Sequence, residues 1–252
     1  MELHTSTWQE VEAYLEGSSG IIVPIGSTEQ HGPTGLIGTD AITAEVISLR
    51  IGELTGALVG PTISIGMAEH HMAFPGSMTM RPSTLTSMIC DYVHSLVRHG
   101  FDRFMFVNGH GGNIATVNSA FYEAYATAPP RPGGNAGDER AEFRCKLVNW
   151  FTDRKVSALC DELYHGRDGA HAAASEISVT QYVHPDAIKT AVLDPPTAPR
   201  GRFYGAEDFR RKFPDGRIGS DPSLARPEHG ERLVAVAAEA IAETYREFLA
   251  ED

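Results

Sequence analysis

Cysteine is scarce: Cys90, Cys145 and Cys160 are the only three in 252 residues, and they fall at no paired spacing. That leaves neither a disulfide framework nor a thiolate zinc knuckle, and fits a reduced, cytoplasmic compartment. Basic residues are also in deficit, with 21 Lys and Arg against 33 Asp and Glu and a formal charge of −12. A nucleic-acid backbone or an anionic membrane surface is therefore a poor partner, and a small molecule a better one. No apolar run approaches membrane-spanning length. The first residues carry Glu2, Glu10, Glu12 and Glu16 where a secretory signal would have a basic start and an apolar stretch. There is no internal repeat.

What is present is enough apolar content, 42%, to bury one substantial core. A single domain over residues 1–252 is expected, because α/β domains often reach this size. Short apolar runs at Ile21–Ile25, Ala57–Ile65, Arg103–Val107 and Lys146–Trp150 read as buried strands. Helical spacing predicts helices at Asp40–Gly52, Ser83–Gly100, Asn113–Tyr125 and Glu231–Leu249. Alternation of the two implies a largely parallel sheet with helices on both faces, whose ligands collect at the carboxyl ends of the strands. Two stretches break the pattern. Ala128–Arg140, rich in proline and glycine, reads as an exposed loop. Asp194–Gly230 carries six prolines and is too long for a structureless connection, which suggests that it covers a pocket or packs on another subunit.

Three constellations could carry chemistry, and all fall at that sheet edge or at a helix start. Glu29 and His31, two residues apart after the first strand, can point the same way from an extended loop, and a turn-rich excursion can return Asp40 beside them. Asn108-Gly109-His110-Gly111-Gly112-Asn113 forms a strand-to-helix turn that presents His110. Its glycine spacing departs from the common phosphate-loop fingerprints, which counts against a nucleotide cradle. Glu176, in the small and apolar stretch after Asp168 and His171, is costly to bury without a partner, and a cation would supply one. Together Glu29, His31, Asp40, His110 and Glu176 offer three carboxylates and two imidazoles without a thiolate. That is enough for two divalent ions if one carboxylate bridges, with zinc or manganese preferred and iron compatible. Two such ions, roughly 3.5–4 Å apart, can hold a hydroxide and polarise a carbonyl, so hydrolysis of an amide is the expected reaction class. Ser27 lacks the elbow sequence of a nucleophilic serine.

The combination of GSTEQHGPTGLIGTD, FPGS, NGHGGN and GAHAAASEIS resembles the creatininase family of amidohydrolases over nearly the whole chain. The resemblance implies a three-layer α/β/α fold, a two-metal centre and a homo-oligomer, often a hexamer. It implies that Glu29 and His110 hold one metal, His31 and Glu176 the other, and that Asp40 bridges them. His171 matches the histidine that handles substrate and protons, and Asp168 retains its acidic counterpart, so these two are the expected catalytic residues.

Departures from the family pattern bear on the substrate. Gly111 and Gly112 stand where creatininases that act on creatinine have tyrosine and glutamate, Ala170 replaces an acidic residue, and Arg167 stands where a stacking tryptophan is expected. Trp150 is the counterpart of another pocket tryptophan. A planar cyclic guanidine gains affinity from stacking and charge pairing. Creatinine is thus disfavoured beside a formamide, a peptide-like amide or another cyclic amide, and Arg167 hints at an anionic group. A non-catalytic metal-binding scaffold or sensor is the alternative. Glu69, His70 and His71 are expected to wall the pocket.

Overall fold

In a computed structural model the chain is described over residues 1–131, 133 and 139–251. Part of the expected 128–140 loop, residues 132 and 134–138, lies outside the described residues. Four parallel strands, β1 (Gly20–Ile25), β2 (Leu58–Val59), β3 (Arg103–Asn108) and β4 (Arg144–Asn149), lie in the order β2-β1-β3-β4. Ile21 sits opposite Phe104 and Ile25 opposite Asn108, while Phe106 faces Leu147 across the next pair. β1 and β3 therefore end level with each other.

Alternation along the central strands sends side chains to two separate cores. On one face Ile22, Met105 and Val107 pack against α2 (Thr39–Thr55), α5 (Arg154–Tyr164), α6 (Ala174–Val183) and α8 (Pro227–Leu249), through residues such as Ile47, Val156, Val179 and Ile241. On the other, Ile21, Val23, Phe104 and Phe106 meet α3 (Pro82–Val97) and α4 (Ile114–Ala126), through Leu85, Ile89, Val117 and Phe121. Val11 and Leu15 of α1 (Trp8–Leu15) pack against the same core. The architecture is a three-layer α/β/α sandwich with a parallel sheet, as expected.

The second strand is shorter than the 57–65 run predicts. Its chain stays beside β1, with Gly60 N–H donating to Ile22 O at 2.8 Å and Ile63 N–H to Pro24 O at 2.9 Å. Pro24 of β1 has no N–H to give to the Gly60 carbonyl, so the ladder breaks between them. Helices α1 and α5 fall outside the apolar runs named above, although both carry start signals. Thr7 and Glu10 form a capping box on α1, and the Asp153 carboxylate accepts from the Lys155 and Val156 N–H groups on α5.

The 194–230 stretch contains α7 (Ala206–Lys212) and lies against the carboxyl edge of the sheet. Arg217, fully buried, pins it by donating to the carbonyls of Pro195 at 2.9 Å and Pro196 at 2.7 Å, and to Asp215 Oδ2 at 2.8 Å. Five donors in a fixed plane satisfy several strands of a loop at once.

Gly26, just past β1, lets the N-terminus of α2 touch the strand end. A Cβ there would lie 2.4 Å from the Asp40 carbonyl carbon and the Ala41 nitrogen, both backbone atoms that cannot move aside. We expect Gly26→Ala to destabilise the fold by roughly 1–3 kcal/mol through overpacking, read as a lowered urea midpoint at unchanged slope.

Candidate metal centre

The carboxyl edge of the sheet gathers the candidate residues because each sits one step beyond a strand or at a helix start. Glu29 and His31 lie on the loop after β1, Asp40 in the first turn of α2, His110 immediately after β3, and Glu176 in the first turn of α6. Helix N-termini favour the two carboxylates there. The asparagines of the NGHGGN turn hold the loops in place. Asn108 Nδ2 donates to His110 O at 2.7 Å and to Asn149 Oδ1 at 2.8 Å, while its Oδ1 accepts the His110 N–H at 3.1 Å. Asn113 donates to Gly26 O at 2.9 Å and accepts from Met67 N–H at 3.0 Å.

The five expected metal ligands converge. His31 Nε2 lies 3.0 Å from Asp40 Oδ1 and 3.9 Å from Glu176 Oε1. His110 Nδ1 lies 3.0 Å from Asp40 Oδ2, and its Nε2 lies 3.2 Å from Glu29 Oε2. Among the described residues, three groups have ligand atoms all within 4.8 Å of one another: Glu29, Asp40 and His110; His31, Asp40 and Glu176; and Glu29, His31 and His171. Asp40 belongs to two of them, as a bridging carboxylate would.

Hydrogen bonds at the far side of each ring aim the imidazoles inward. His31 Nδ1 is 3.0 Å from Glu29 O, His110 Nε2 is 3.0 Å from Met67 O, and His171 Nε2 is 2.7 Å from Gln30 O. A carbonyl only accepts, so in the neutral ring that nitrogen carries the hydrogen and the other presents a lone pair to the carboxylates. Ligating histidines are arranged this way.

Electrostatics are severe because Glu29, Asp40, His31 and His110 are all buried. Burial pushes His31 and His110 down, but Asp40 and Glu176 more than offset it for His31, which rises to about 10. Glu29 and Asp40 do the same for His110, which rises to about 9. Burial likewise opposes the ionised Asp40, yet the His31 and His110 rings hold its carboxyl well below the usual range. Glu176 goes the other way, pushed up to about 7 by burial against the pull of His31. His171 is held well below the ordinary imidazole value by burial and by the neighbouring His31 and His71.

Among the described residues, both oxygens of Glu29 and Oδ2 of Asp40 are buried without a hydrogen-bond partner. Unpaired buried carboxylate oxygens are costly. The imidazole nitrogens come within 3.0–3.2 Å of them, yet Glu29 and Asp40 Oδ2 make no aligned hydrogen bond, so the donor set faces shared points in space. A divalent cation fits this set: it would satisfy the orphaned oxygens and offset the three carboxylates.

Of the two expected catalytic residues, only His171 stands in the cluster, its Nδ1 3.9 Å from Glu29 Oε1 and its ring 4.6 Å from that of His31. Asp168 accepts from Ser175 N–H at 2.7 Å and Ser175 Oγ at 2.8 Å at the head of α6. Both line a cavity of about 290 Å³, together with His110, Trp150, Ala170 and Glu176. Arg167 is ion-paired with Asp221 at 3.2 Å.

Two residues that sequence spacing undervalued sit at the centre. His71 is buried with Nε2 3.1 Å from Glu29 Oε1, its ring 4.3 Å from His171 and 4.7 Å from Phe209 of α7. Gln30 threads its carboxamide between His71 and His171. The Gln in Glu-Gln-His was legible, but only as a spacer. Its role depends on a fold that brings residues 71, 171 and 216 around it. Glu69 is exposed, and His70 is half-buried against Phe203.

Comparison with known proteins identifies the family. The family model of Creatininase, described as creatinine amidohydrolase, matches residues 4–245. A creatinine amidohydrolase of Pseudomonas putida is 28% identical over 254 residues, covering 96% of this chain and 94% of its own. A mycofactocin precursor peptide peptidase of Mycolicibacterium smegmatis is 29% identical over 250 residues, covering 92% and 85%. A solved structure titled creatininase Mn superposes with a TM-score of 0.78 at 26% identity, covering 98% of this chain and 97% of the other. With a match that runs over nearly its whole length, the chain belongs to the Creatininase family.

Proposed function

We propose that this protein hydrolyses a C–N amide bond of a small substrate other than creatinine, using two divalent ions. Glu29, Asp40 and His110 would hold one ion and His31, Asp40 and Glu176 the other. The observation that carries this reading is the set of buried, unpartnered oxygens on Glu29 and Asp40 with carbonyl-tethered imidazoles facing them. Bound ions supply a Lewis acid for the amide carbonyl and an activated water at neutral pH. Manganese is one candidate, because a similar solved protein carries it in its title.

The chain's own side chains perform the rest. Asp40 stands in both donor groups, so its carboxylate would be shared between the ions. His171 stands at the cavity wall with its Nδ1 lone pair facing the centre, where it can take a proton and pass it to the leaving nitrogen. Asp168 ties down the first turn of α6 through Ser175 and so fixes Glu176 one residue on. The whole of residues 1–252 acts as one catalytic domain in this reading.

Substrate choice rests on what the pocket lacks. Gly111 and Gly112 remove two side chains from the rim beside His110, and Ala170 removes a carboxylate next to His171. The cavity is small for a ligand site and holds a compact amide head. The similar proteins named for creatinine and for a precursor peptide are equally distant, at 28% and 29% identity, so neither name carries over. A formamide, a peptide-like amide and a non-creatinine cyclic amide are the classes to assay.

Metal analysis together with an amide screen tests this directly. Protein loaded with manganese, zinc or iron should hold two ions per chain and turn over one of those classes faster than creatinine. A folded, metal-free protein with full activity, or creatinine as the best substrate, overturns the reading. Asp40→Asn should lose both ions and lower kcat/KM by about a thousandfold, the several kcal/mol that ion-assisted catalysis supplies. His171→Asn should keep both ions while kcat falls roughly 10²–10⁴-fold, the range for a proton-transfer group. Gly112→Glu should weaken metal retention in an equilibrium dialysis assay rather than add a ligand, since a Cβ there would lie 2.3 Å from His110 Nε2 and 2.6 Å from Met67 O.

A further inference from the structure

Gln30 makes more hydrogen-bond contacts around the metal centre than its place between two candidate ligands requires. Its side chain is buried, and its orientation is fixed at one end because Oε1 accepts the Gly32 N–H at 2.9 Å. The amide nitrogen then faces three neighbours: Gly216 O at 3.0 Å, His71 Nδ1 at 2.9 Å and His171 Nε2 at 2.9 Å. Two hydrogens must serve three contacts.

Counting donors and acceptors resolves them. Gly216 O can only accept, so it takes one amide hydrogen. His171 Nε2 also lies 2.7 Å from the Gln30 main-chain oxygen, another pure acceptor, so in the neutral ring that nitrogen carries a hydrogen and cannot accept. The second amide hydrogen therefore goes to His71 Nδ1. His71 must then carry its own hydrogen on Nε2, the atom 3.1 Å from Glu29 Oε1, while His171 turns the lone pair of Nδ1 toward the centre.

The approach is deliberate in its steric demands. Gly216 has φ of +87°, and a Cβ there would lie 1.8 Å from Gln30 Oε1, so only glycine leaves room for the carboxamide. The Gly216 carbonyl reaches the site because Ile218 bridges His171 in backbone pairing, with Ile218 N–H donating to His171 O at 3.2 Å.

We propose that Gln30 is a positioning residue: its carboxamide sets the tautomer of His71, turning Nε2–H toward Glu29, and its main-chain oxygen sets that of His171, leaving Nδ1 as a proton acceptor. With Nε2–H of His71 nearest Oε1, Oε2 of Glu29, on the side of His110, would be the oxygen free to hold an ion. The catalytic half of this assignment rests on the two-ion reading above. The tautomer half does not.

The isosteric Gln30→Glu replaces two donors by an acceptor, and Gln30→Met keeps the length without any polar atom. Long-range ¹H–¹⁵N imidazole spectra of wild type should place the hydrogen of one buried ring on Nε2, assigned to His71 by its loss in His71→Phe. In Gln30→Glu that hydrogen should move to Nδ1, and in Gln30→Met the two forms should mix. With metal content unchanged, kcat should fall about 10–100-fold, the usual effect of removing an outer partner, with KM within twofold. If Gln30→Glu fails to fold, Gln30→Met carries the same comparison. A wild-type imidazole pattern in both variants, or wild-type kcat in both, overturns the proposal. Wild-type protein that binds no ion but shows the Nε2 hydrogen refutes the two-ion reading and leaves the tautomer assignment standing.

Discussion

Buried Asp40 has a carboxylate on either side of it at one edge of a parallel sheet, buried Glu29 and partly buried Glu176, and their repulsion is the constraint around which the site is built. Like charges out of water are costly, so everything nearby acts to offset or hold them. His31 and His110 face two carboxylates each, and helix starts lie under Asp40 and Glu176. Even so, oxygens of Glu29 and Asp40 are left without partners, and a divalent cation answers that residue of unbalanced charge.

Holding such a cluster requires a rigid frame, and the loops supply it by unusually close approaches. Gly26 and Gly109 bring the ends of β1 and β3 against the main chain at Asp40, where a Cβ on either would strike backbone atoms. Asn108 and Asn113 tie three loops together, and buried Arg217 collects the carbonyls of the long 194–230 stretch. That stretch in turn lays Phe203 and Phe209 against His70 and His71, giving the imidazoles an aromatic wall. Its proline content, puzzling in a loop, suits a covering that must stay ordered without a sheet or a long helix.

Much of this was legible in the chain. The apolar runs at 21–25 and 103–107 match β1 and β3 to within two residues, because a strand buried on both faces has little choice of composition. The second strand is shorter than its apolar run because periodicity does not register that Pro24 on β1 has no N–H for Gly60 O; α1 is short and mostly exposed, while α5 does present an apolar face, Val156, Leu159, Cys160, Leu163 and Tyr164, to the core. Glu29, His31, Asp40, His110 and Glu176 stood out because such residues next to strand ends and helix starts must converge in a parallel sheet. Asp168 was visible as an acid near His171, but its engagement with Ser175 was not.

By itself the sequence determined the layered parallel fold and the donor set of carboxylates and imidazoles. These follow from composition and from local order along the chain. Tertiary structure decided the rest: that His71 joins the cluster, that Gln30 is a hydrogen-bonding hub, and which nitrogen of each ring faces inward. The physical reason is that a tautomer is set by whichever donor or acceptor reaches one side of the ring. For His71, His110 and His171 those groups are the Gln30 carboxamide, which donates, and the carbonyls of Met67 and Gln30, which accept, brought from 41, 43 and 141 residues away.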